Sequence, residues 1–431
     1  MTTVAIATLG CKTNQFESAA MSDQLTTAGY RLIPFNQPAD IYIINSCTVT
    51  ARTDAETRKL IRRARRQNPD ARIIATGCYA QVAPGDLERI PELDIVLGNR
   101  EKRTISSLLQ SDTSQVSDIM DDTAAAALGL TSFADHTRAF LQIQNGCDSF
   151  CSYCIVPYAR GASRSVLPGD VLDGIRTMTG NGFREVVLTG IHLGAYGLDL
   201  TPPETLTALV RHCVAERVAT RLRLGSIEPN ELEPELLQLI ADSPLLCRHL
   251  HLPLQSGSDD VLARMGRRYT RSQFYELIAT IIAKVPDIFI GLDLIAGFPG
   301  ESEGDFFETC RLIEDLPVAG LHVFPFSIRP GTKAATLPGQ IAPRIISERA
   351  RILRTLAVRK QREFLDRTLG TCLSALGQQY DPATETVTGL TGNYIQVRYR
   401  GTRELLRSLT TVRIESHDGT LATGNIVVPI D

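Results

Sequence analysis

Three cysteines on one short loop constrain this chain more than any other feature of its sequence. Cys147, Cys151 and Cys154, here called the loop triad, are spaced CxxxCxxC and directly follow the apolar run at 139–144. Three thiolates on one loop can hold three corners of a 4Fe–4S cube and leave the fourth iron open. An open iron can chelate S-adenosylmethionine through its amino and carboxylate groups and drive its reductive cleavage. The spacing therefore favours a reactive cluster over one that only transfers electrons.

A structural zinc site is the alternative for clustered cysteines. Such a site requires a fourth cysteine or histidine nearby. The next such residues, His192 and Cys213, lie far downstream of the loop triad. The spacing therefore favours an iron–sulfur cluster and leaves zinc as the second interpretation.

Length and composition indicate several soluble domains. The chain has 431 residues, of which 43% are hydrophobic, and no apolar run is long enough to span a bilayer. Since Val4 already starts a strand-like run, without the regions of a signal peptide, we expect a cytoplasmic protein with no membrane partner. Its ten cysteines then predict metal or redox ligands rather than disulfides. The net charge of −3 means that any RNA contact must come from local patches.

The N-terminal third predicts a parallel α/β domain of the flavodoxin-like type, because apolar runs alternate there with amphipathic stretches. The runs lie at 4–9, 41–44, 72–75 and 95–97. Cys11, Cys47 and Cys78, here called the sheet triad, follow the first three runs. Parallel strands share one carboxyl edge, so we expect these thiols to converge and hold a second 4Fe–4S cluster. For any one of them alone, a buried small hydrophobic side chain is the ordinary alternative.

A run of basic residues follows Cys47 and supplies candidates for RNA binding. Arg58, Arg62 and Arg66 are spaced at i and i+4, which puts them on one face of a predicted helix. A solvated helix surface is the usual explanation of such a run. Because the run lies beside the predicted cluster, contact with an RNA backbone is an equally good explanation.

Six strand-like runs, separated by helix-length stretches, predict a central partial (β/α)6 barrel of the TIM type. The runs lie at 139–144, 185–188, 221–224, 249–254, 289–295 and 321–326. Barrel enzymes work at the carboxyl ends of their strands, where the loop triad is also placed. Residues at the later strand exits are therefore candidates for binding S-adenosylmethionine, although turn geometry alone explains each of them. These candidates are Gly190, Ser226, Glu228, Gln255, Ser256 and Gly297.

The boundaries of the first two domains follow from a change in composition. A stretch rich in Ser, Asp, Thr and Ala with little periodicity predicts a linker at 116–135. The N-terminal domain is then expected at 1–115 and the barrel at 136–366.

The last domain is predicted as a small β-barrel at 367–431, because short alternating runs are broken there by Gly and Asp-Gly turns. One predicted strand covers 394–399. Tyr394, Tyr399 and Arg398 are candidates for stacking on or pairing with nucleotides, and packing and solvation explain them equally well.

These motifs resemble those of the radical-SAM methylthiotransferases over nearly the whole chain. The matching segments are 8–15, 45–50, 76–81, 145–154, 157–161 and 251–259. Two cysteine triads in this order are highly specific to that family. Lys12, together with 267–270, is most similar to the branch that acts on threonylcarbamoyladenosine in tRNA. The branches for isopentenyladenosine or a ribosomal-protein aspartate usually carry other residues after Cys11.

The resemblance implies two 4Fe–4S clusters with different tasks. The loop triad would hold the cluster at which S-adenosylmethionine yields a 5′-deoxyadenosyl radical, and the sheet triad would hold an auxiliary cluster that carries the sulfur. The product would be a methylthio group on carbon-2 of the adenine. The final barrel would be a TRAM domain, which is OB-like and grips RNA.

The resemblance also implies partners, and it leaves alternatives open. The partners would be the anticodon loop of tRNA and an electron donor such as flavodoxin or ferredoxin, while the sulfur source is unknown. The same chemistry on isopentenyladenosine or a ribosomal-protein aspartate is one alternative. A non-enzymatic RNA-binding protein with zinc in its cysteines is another, and it would be colourless rather than brown.

Overall fold

The structure is a computed structural model that describes residues 1–123 and 136–427. The strands are β1 (Thr3–Thr8), β2 (Arg31–Leu32), β3 (Ile41–Ser46), β4 (Arg72–Gly77), β5 (Ile95–Val96), β6 (Ala139–Gln142), β7 (Gln144–Asn145), β8 (Arg164–Ser165), β9 (Val186–Thr189), β10 (Leu222–Leu224), β11 (His249–Gln255), β12 (Phe289–Ala296), β13 (Gly320–Pro325), β14 (Cys372–Asp381), β15 (Thr386–Thr391), β16 (Gln396–Arg400), β17 (Leu409–His417) and β18 (Ala422–Ile426). The helices are α1 (Lys12–Thr27), α2 (Ala51–Gln67), α3 (Cys78–Val82), α4 (Pro84–Glu88), α5 (Ile105–Leu108), α6 (Val156–Arg160), α7 (Pro168–Gly180), α8 (Leu206–Ala215), α9 (Pro234–Asp242), α10 (Asp259–Met265), α11 (Arg271–Lys284), α12 (Glu303–Asp315) and α13 (Pro343–Asp366). Within these ranges, no helix is both long and apolar enough to cross a membrane.

The first sheet is parallel, with the strand order β2-β1-β3-β4-β5. This is the flavodoxin-like order, so the predicted fold of the N-terminal unit is confirmed. All six residues of β3 are buried, as expected for a central strand with both faces covered. The sequence did not predict β2, because its two exposed residues carry no alternating pattern.

The second unit is a partial barrel of six parallel strands. One sheet has the order β10-β9-β6 and the other β11-β12-β13. Single β-bridges join the two sheets, at Leu222 with Leu246 and at Ser226 with His251. The predicted (β/α)6 architecture is therefore confirmed. Phe16 and Ala20 of α1 belong to the apolar core of this barrel, so the first helix ties both units together.

The third unit is a closed barrel with the order β14-β15-β16-β18-β17, which confirms the predicted small β-barrel. Its third strand begins at Gln396 rather than at the predicted residue 394. Tyr394 has a φ of 63° and lies in the preceding turn. The alternating pattern extended into this turn because a sequence pattern carries no information on a positive φ.

Arginines from β10 and the residue before it dock the small barrel on the amino end of the large one. Arg221 and Arg223 both pair with the fully buried Glu185. Their guanidinium groups donate to the carbonyls of Ser374, Leu390, Thr391 and Gly392. The Arg223 guanidinium also lies 5.0 Å from the ring centre of Tyr394. This contact fixes the small barrel opposite the carboxyl ends of the barrel strands.

The predicted linker at 116–135 begins with packed residues. Gln115 forms a β-bridge with Leu97 at the edge of the first sheet, and Ile119 is 3% exposed. Asp122 is buried and pairs with Arg103 and Arg164. Ile119 and Asp122 are therefore anchored, whereas Asp118, Met120 and Asp121 between them are exposed, and the linker stays a prediction. The remainder, 124–135, lies outside the described residues.

Candidate active site

The sheet triad lies at the carboxyl ends of β1, β3 and β4. Cys47 and Cys78 are buried, and Cys11 is exposed. Gly10 has a φ of 95°, and a Cβ on it would lie 2.8 Å from the sulfur of Cys47. Burial and the neighbouring thiols Cys78 and Cys11 raise the pKa of Cys47 to about 12. The three thiols therefore lie close enough to influence one another, in a space that a side chain on Gly10 would fill.

A buried arginine faces these thiols. Arg160 donates from Nε to the Sγ of Cys78 at 3.3 Å, and its other nitrogens pair with Asn14 and Glu17. Lys102 reaches the same carboxylate at 2.6 Å. Burial alone would raise the pKa of Glu17, but Arg160 and Lys102 outweigh it and hold that pKa below its ordinary value. Arg160, Lys102 and Glu17 together therefore carry one net positive charge beside the thiols.

This donor set fits an iron–sulfur cluster. Thiolates give such a cluster a net negative charge, and the nearby guanidinium of Arg160 offsets it. Without a metal the Cys47 thiol would stay protonated, since burial raises its pKa. In the described part of the chain, no other cysteine lies at these strand exits.

The loop triad follows β6 and β7 at the carboxyl end of the large barrel. The Sγ of Cys147 lies 3.6 Å from Nδ1 of His192, and the Sγ of Cys151 accepts from Arg267 at 3.5 Å. Burial, together with Cys151 and Cys147, raises the pKa of Cys154 to about 12. Three crowded thiols with cationic neighbours again fit an anionic cluster.

The sequence argument against His192 as a neighbour of the loop triad is wrong. Gln142 of β6 pairs with Thr189 of β9, and this register brings the two strand exits together. The imidazole then bonds through Nε2 to Glu231 at 2.8 Å. Burial lowers the pKa of His192, but contacts with Cys147 and Glu231 raise it to about 10. His192 lies three residues after the end of β9, and this position in the sequence would have predicted it as a neighbour of the loop triad.

A cavity of about 390 Å³ opens beside the loop triad. Cys151, His192, Glu228 and Arg267 contribute to its lining. Burial raises the pKa of Glu228, although its ion pair with Arg267 opposes this. Of the predicted cofactor contacts, Glu228 is the one that lines this cavity.

The other predicted cofactor contacts fall into two groups. Gly190 and Ser226 lie at strand exits, where a Cβ on Gly190 would be 3.0 Å from Gln144 and the Ser226 hydroxyl lies 2.6 Å from His251. Gln255, with a φ of 67°, lines the second cavity described below.

Ser256 and Gly297 contact other helices of the barrel unit. The Ser256 hydroxyl is 1% exposed and lies 3.4 Å from the hydroxyl of Thr309. A Cβ on Gly297 would lie 2.5 Å from Ile346, so helix α13 packs directly on this turn. Neither residue lines either cavity, and contact of Ser256 or Gly297 with the cofactor stays a prediction.

A second cavity, of about 190 Å³, lies between the two triads. Val49 and Thr50, which follow Cys47, form one wall, and Cys154 of the loop triad forms another. Its remaining wall comes from the barrel strands: Gln255, Asp293, Ile295, Phe324 and Pro325. Beside it, the backbone N–H of Ala51 donates to Ser327 at 3.0 Å, which closes α2 onto the barrel. A group held in this cavity touches residues beside both triads.

The four arginine candidates for RNA binding differ in their contacts with the rest of the protein. Arg58 donates to the hydroxyl of Tyr79 at 2.9 Å, and Arg62 lies 3.9 Å from Glu92. Arg66 and Arg398 are exposed. These four remain predictions for RNA contact.

The two tyrosine candidates are held by the protein itself. Tyr394 stacks 4.4 Å from His249 and 5.5 Å from Phe289, measured between ring centres. Tyr399 is 2% exposed in the core of the small barrel. The structure thus contradicts nucleotide stacking by Tyr399, and it gives Tyr394 a packing contact between two units.

Replacing Arg160 with methionine should lower the free energy of unfolding by about 1.5–3 kcal/mol, because Glu17 keeps Lys102 but loses its buried charged hydrogen bonds to Arg160. Iron bound per chain should also fall. Anaerobic urea denaturation and iron analysis measure both effects. Arg63→Met is the control, since Arg63 is exposed on α2. A loss below about 1 kcal/mol, the range of surface ion pairs, would contradict this assignment.

Comparisons with known proteins identify the family. Residues 3–98 match the uncharacterized protein family UPF0004, and 141–313 match the radical SAM superfamily. The chain is 37% identical over 423 residues to threonylcarbamoyladenosine tRNA methylthiotransferase MtaB of Bacillus subtilis, covering 96% of this chain and 94% of the relative. The chain is a radical SAM methylthiotransferase. The MtaB protein of Aquifex aeolicus is 38% identical, with 93% and 98% coverage.

A second branch of these methylthiotransferases is also similar. The tRNA-2-methylthio-N(6)-dimethylallyladenosine synthase of Geobacter metallireducens is 34% identical, covering 95% of each chain. Among solved structures, the radical S-adenosylmethionine methyltransferase TsrM of Kitasatospora setae superposes with a TM-score of 0.56. It is 14% identical and covers 78% of this chain and 75% of its own, so it supports the fold alone.

Membership of this family confirms the predicted enzyme class. As a radical SAM methylthiotransferase, the protein uses S-adenosylmethionine and 4Fe–4S clusters. The zinc-bound, non-enzymatic alternative is therefore not favoured.

Proposed function

We propose that this protein inserts a methylthio group at carbon-2 of N6-threonylcarbamoyladenosine, next to the anticodon of tRNA. The observation that carries the proposal is the second cavity, which is lined by residues beside both triads. Attack on an unactivated aromatic C–H bond requires the radical source, the sulfur and the base within a few ångströms of each other. Relatives named for this substrate cover nearly the whole chain.

The two triads are proposed as the cluster ligands. When bound, the clusters supply the electron that cleaves S-adenosylmethionine and the sulfur that is transferred. Arg160 offsets the charge at the sheet triad, and Arg267 does so at the loop triad. Both guanidinium groups lie beside the thiols in the absence of a substrate, so the negative charge of each proposed cluster is offset before the substrate binds.

We infer that the first cavity binds S-adenosylmethionine. Its volume of about 390 Å³ lies within the range of roughly 300–1,000 Å³ typical of small-molecule sites. Glu228 offers a carboxylate to the ribose hydroxyls or the amino group, and Arg267 holds that carboxylate in position. Ser226 and Gly190 remain candidates at the adjoining strand exits.

The target base is proposed to enter the smaller cavity. Phe324 and Phe326 provide aromatic surface there, and α2 closes the other side. Arg62 and Arg66 lie along the exposed side of that helix and are proposed to contact the RNA backbone. Arg398 on the small barrel is the proposed contact for a more distant phosphate.

Partners beyond tRNA follow from the chemistry. Reductive cleavage needs an electron donor, for which flavodoxin or ferredoxin is proposed, and each turnover consumes a sulfur that a still unknown source must replace. We propose that the protein works in the cytoplasm, where its tRNA substrate is found.

Mass spectrometry of tRNA nucleosides from a strain that lacks this gene tests the proposal. The methylthio derivative of threonylcarbamoyladenosine should disappear while the unmethylthiolated nucleoside accumulates, and a plasmid copy of the gene should reverse both changes. Loss of methylthiolated isopentenyladenosine instead would assign the protein to the second branch of its relatives. Unchanged nucleosides of both kinds would contradict a role in tRNA.

A further inference from the structure

A series of hydrogen bonds, here called the buried link, connects the neighbours of the sheet triad with those of the loop triad. It starts at Thr48, directly after Cys47, whose hydroxyl donates to one carboxylate oxygen of Asp54 at 2.7 Å. The other carboxylate oxygen accepts from Nη2 of Arg329 at 2.6 Å. Because Asp54 lies on α2 and Arg329 follows β13, this ion pair joins the N-terminal unit to the large barrel.

The buried link continues through the turn that begins at Arg329. The carbonyl oxygen of Arg329 accepts from the backbone N–H of Thr332 at 3.1 Å and from its hydroxyl at 2.7 Å. Two residues later, the N–H of Ala334 donates to the carbonyl of Ser152 at 2.7 Å. Ser152 lies within the loop that carries the loop triad. Short hydrogen-bonded steps therefore lead from the sheet triad to the loop triad.

Solvent is excluded from the buried link along its length. The residues Thr48, Asp54, Arg329, Thr332, Ala334 and Ser152 are all buried. Exposed ion pairs are weak because water screens them, whereas hydrogen bonds in a buried network are stronger. The buried link thus holds the two units in one arrangement instead of tethering them loosely.

Stability alone does not explain the ion pair between Arg329 and Asp54. Nε and Nη1 of Arg329 are buried without a hydrogen-bond partner among residues 1–123 and 136–427. Unpaired buried donors cost free energy, and a buried ion pair often adds little net stability compared with apolar side chains of similar volume. The arrangement of units that this pair fixes is the better explanation for an arginine at this position.

The same ion pair lies beside the second cavity. Val49 and Thr50, which follow Thr48, form one wall of that cavity. Ser327, two residues before Arg329, contributes to the opposite wall. A shift of α2 relative to the turn at Arg329 would therefore move the two walls, and the triads beside them, relative to each other.

We infer that Asp54 and Arg329 are positioning residues that set the separation of the two proposed cluster sites. This inference rests on the proposed function. Methylthio transfer requires the radical source, the sulfur and the base in a near-attack geometry, and misplacement by about 1 Å can slow such a step by about 100-fold. Cleavage of S-adenosylmethionine needs the loop triad alone. Loss of the ion pair therefore uncouples cleavage from methylthio transfer.

The test uses reconstituted holoenzyme and an anticodon stem–loop that carries threonylcarbamoyladenosine. Arg329→Met should lower the ratio of methylthiolated product to 5′-deoxyadenosine by roughly 10- to 100-fold, the effect of a misplaced reacting group. Arg329→Lys, which keeps a cation, should recover part of this loss. Asp54→Asn weakens the same pair with little change in volume and should also lower the ratio. Formation of 5′-deoxyadenosine without RNA should match the wild type.

Two further readouts separate positioning from damage. Iron bound per chain should equal that of the wild type. Electron paramagnetic resonance of the reduced enzyme measures the magnetic interaction between the two clusters, which depends on their separation and should change in Arg329→Met. Arg349→Met is the matched control, because its buried ion pair with Glu301 lies within the barrel unit. This control should keep both the product ratio and the magnetic interaction.

Several results would overturn the inference. A wild-type product ratio in Arg329→Met and Asp54→Asn would do so while the proposed function stands. An equal fall of the ratio in Arg349→Met would show that loosening of the barrel explains the effect. Loss of iron from Arg329→Met would assign the pair to holding a cluster instead of placing it. A wild type that leaves the stem–loop unmodified would overturn the proposed function and this inference together.

Discussion

Replacing Cys151 with alanine should abolish formation of 5′-deoxyadenosine from S-adenosylmethionine. The loop triad supplies three thiols on one loop, and two ligands do not hold a cluster with one open iron. The rate of 5′-deoxyadenosine formation should fall by more than the roughly 10- to 100-fold that is typical when a residue hydrogen-bonded to a metal ligand is replaced. Chromatography with mass spectrometry measures 5′-deoxyadenosine after reduction of the reconstituted enzyme.

The exposed Cys372 on β14 offers a matched control for this change, since it lies in the small barrel far along the chain from the loop triad. Cys372→Ala should form 5′-deoxyadenosine at the wild-type rate. Normal product from Cys151→Ala would show that the loop triad does not hold the reactive cluster.

Replacing Cys47 with alanine should leave the cleavage of S-adenosylmethionine intact, in contrast to the change at Cys151. Cys47 belongs to the sheet triad on another sheet, so cleavage of S-adenosylmethionine should continue while methylthiolated RNA falls to background. Iron per chain should drop by about half, because one of two 4Fe–4S clusters is lost. The same assay, extended to nucleosides of the RNA product, measures both quantities.

Cys47→Ala removes a buried side chain next to Gly10, so its folding has to be checked. An unchanged circular dichroism spectrum and continued 5′-deoxyadenosine formation establish that the barrel is intact. Full yield of methylthiolated product from such an enzyme would reject the assignment of the sheet triad to a second cluster.

The convergence of the sheet triad was predictable because it depends only on strand order. Val4, Ile43 and Ile74 are fully buried, so each strand is visible as an apolar run in the sequence. Once the strands are parallel and adjacent, their exits share one edge. The same logic placed the loop triad at the carboxyl end of the large barrel, and it would also have placed His192 there.

The partners of these thiols were not predictable, because they come from long-range contacts. Arg160 meets Glu17 across 143 positions of sequence, and no periodicity indicates such a pair. Arg267 reaches Cys151 across 116 positions, from a turn after α10. Patterns report which residues are buried, whereas the charge partner of a buried residue depends on how separate units dock.

Contacts between units also explain the tyrosine candidates. An aromatic residue in an alternating run is equally typical of an RNA surface and of a core. Tyr394 packs on His249 and Phe289 of the large barrel, which are more than a hundred residues earlier in the chain. Tyr399 was separable by strand register, since Val397 and Tyr399 alternate with exposed Arg398 and Arg400.

Conversion of a synthetic anticodon stem–loop by the reconstituted enzyme tests the central claim most directly. The stem–loop carries threonylcarbamoyladenosine, and its nucleosides are analysed by mass spectrometry after one turnover with S-adenosylmethionine and a reductant. The account predicts a methylthio group on carbon-2 of that adenosine, together with 5′-deoxyadenosine. Formation of 5′-deoxyadenosine with an unmodified stem–loop would contradict the assigned substrate.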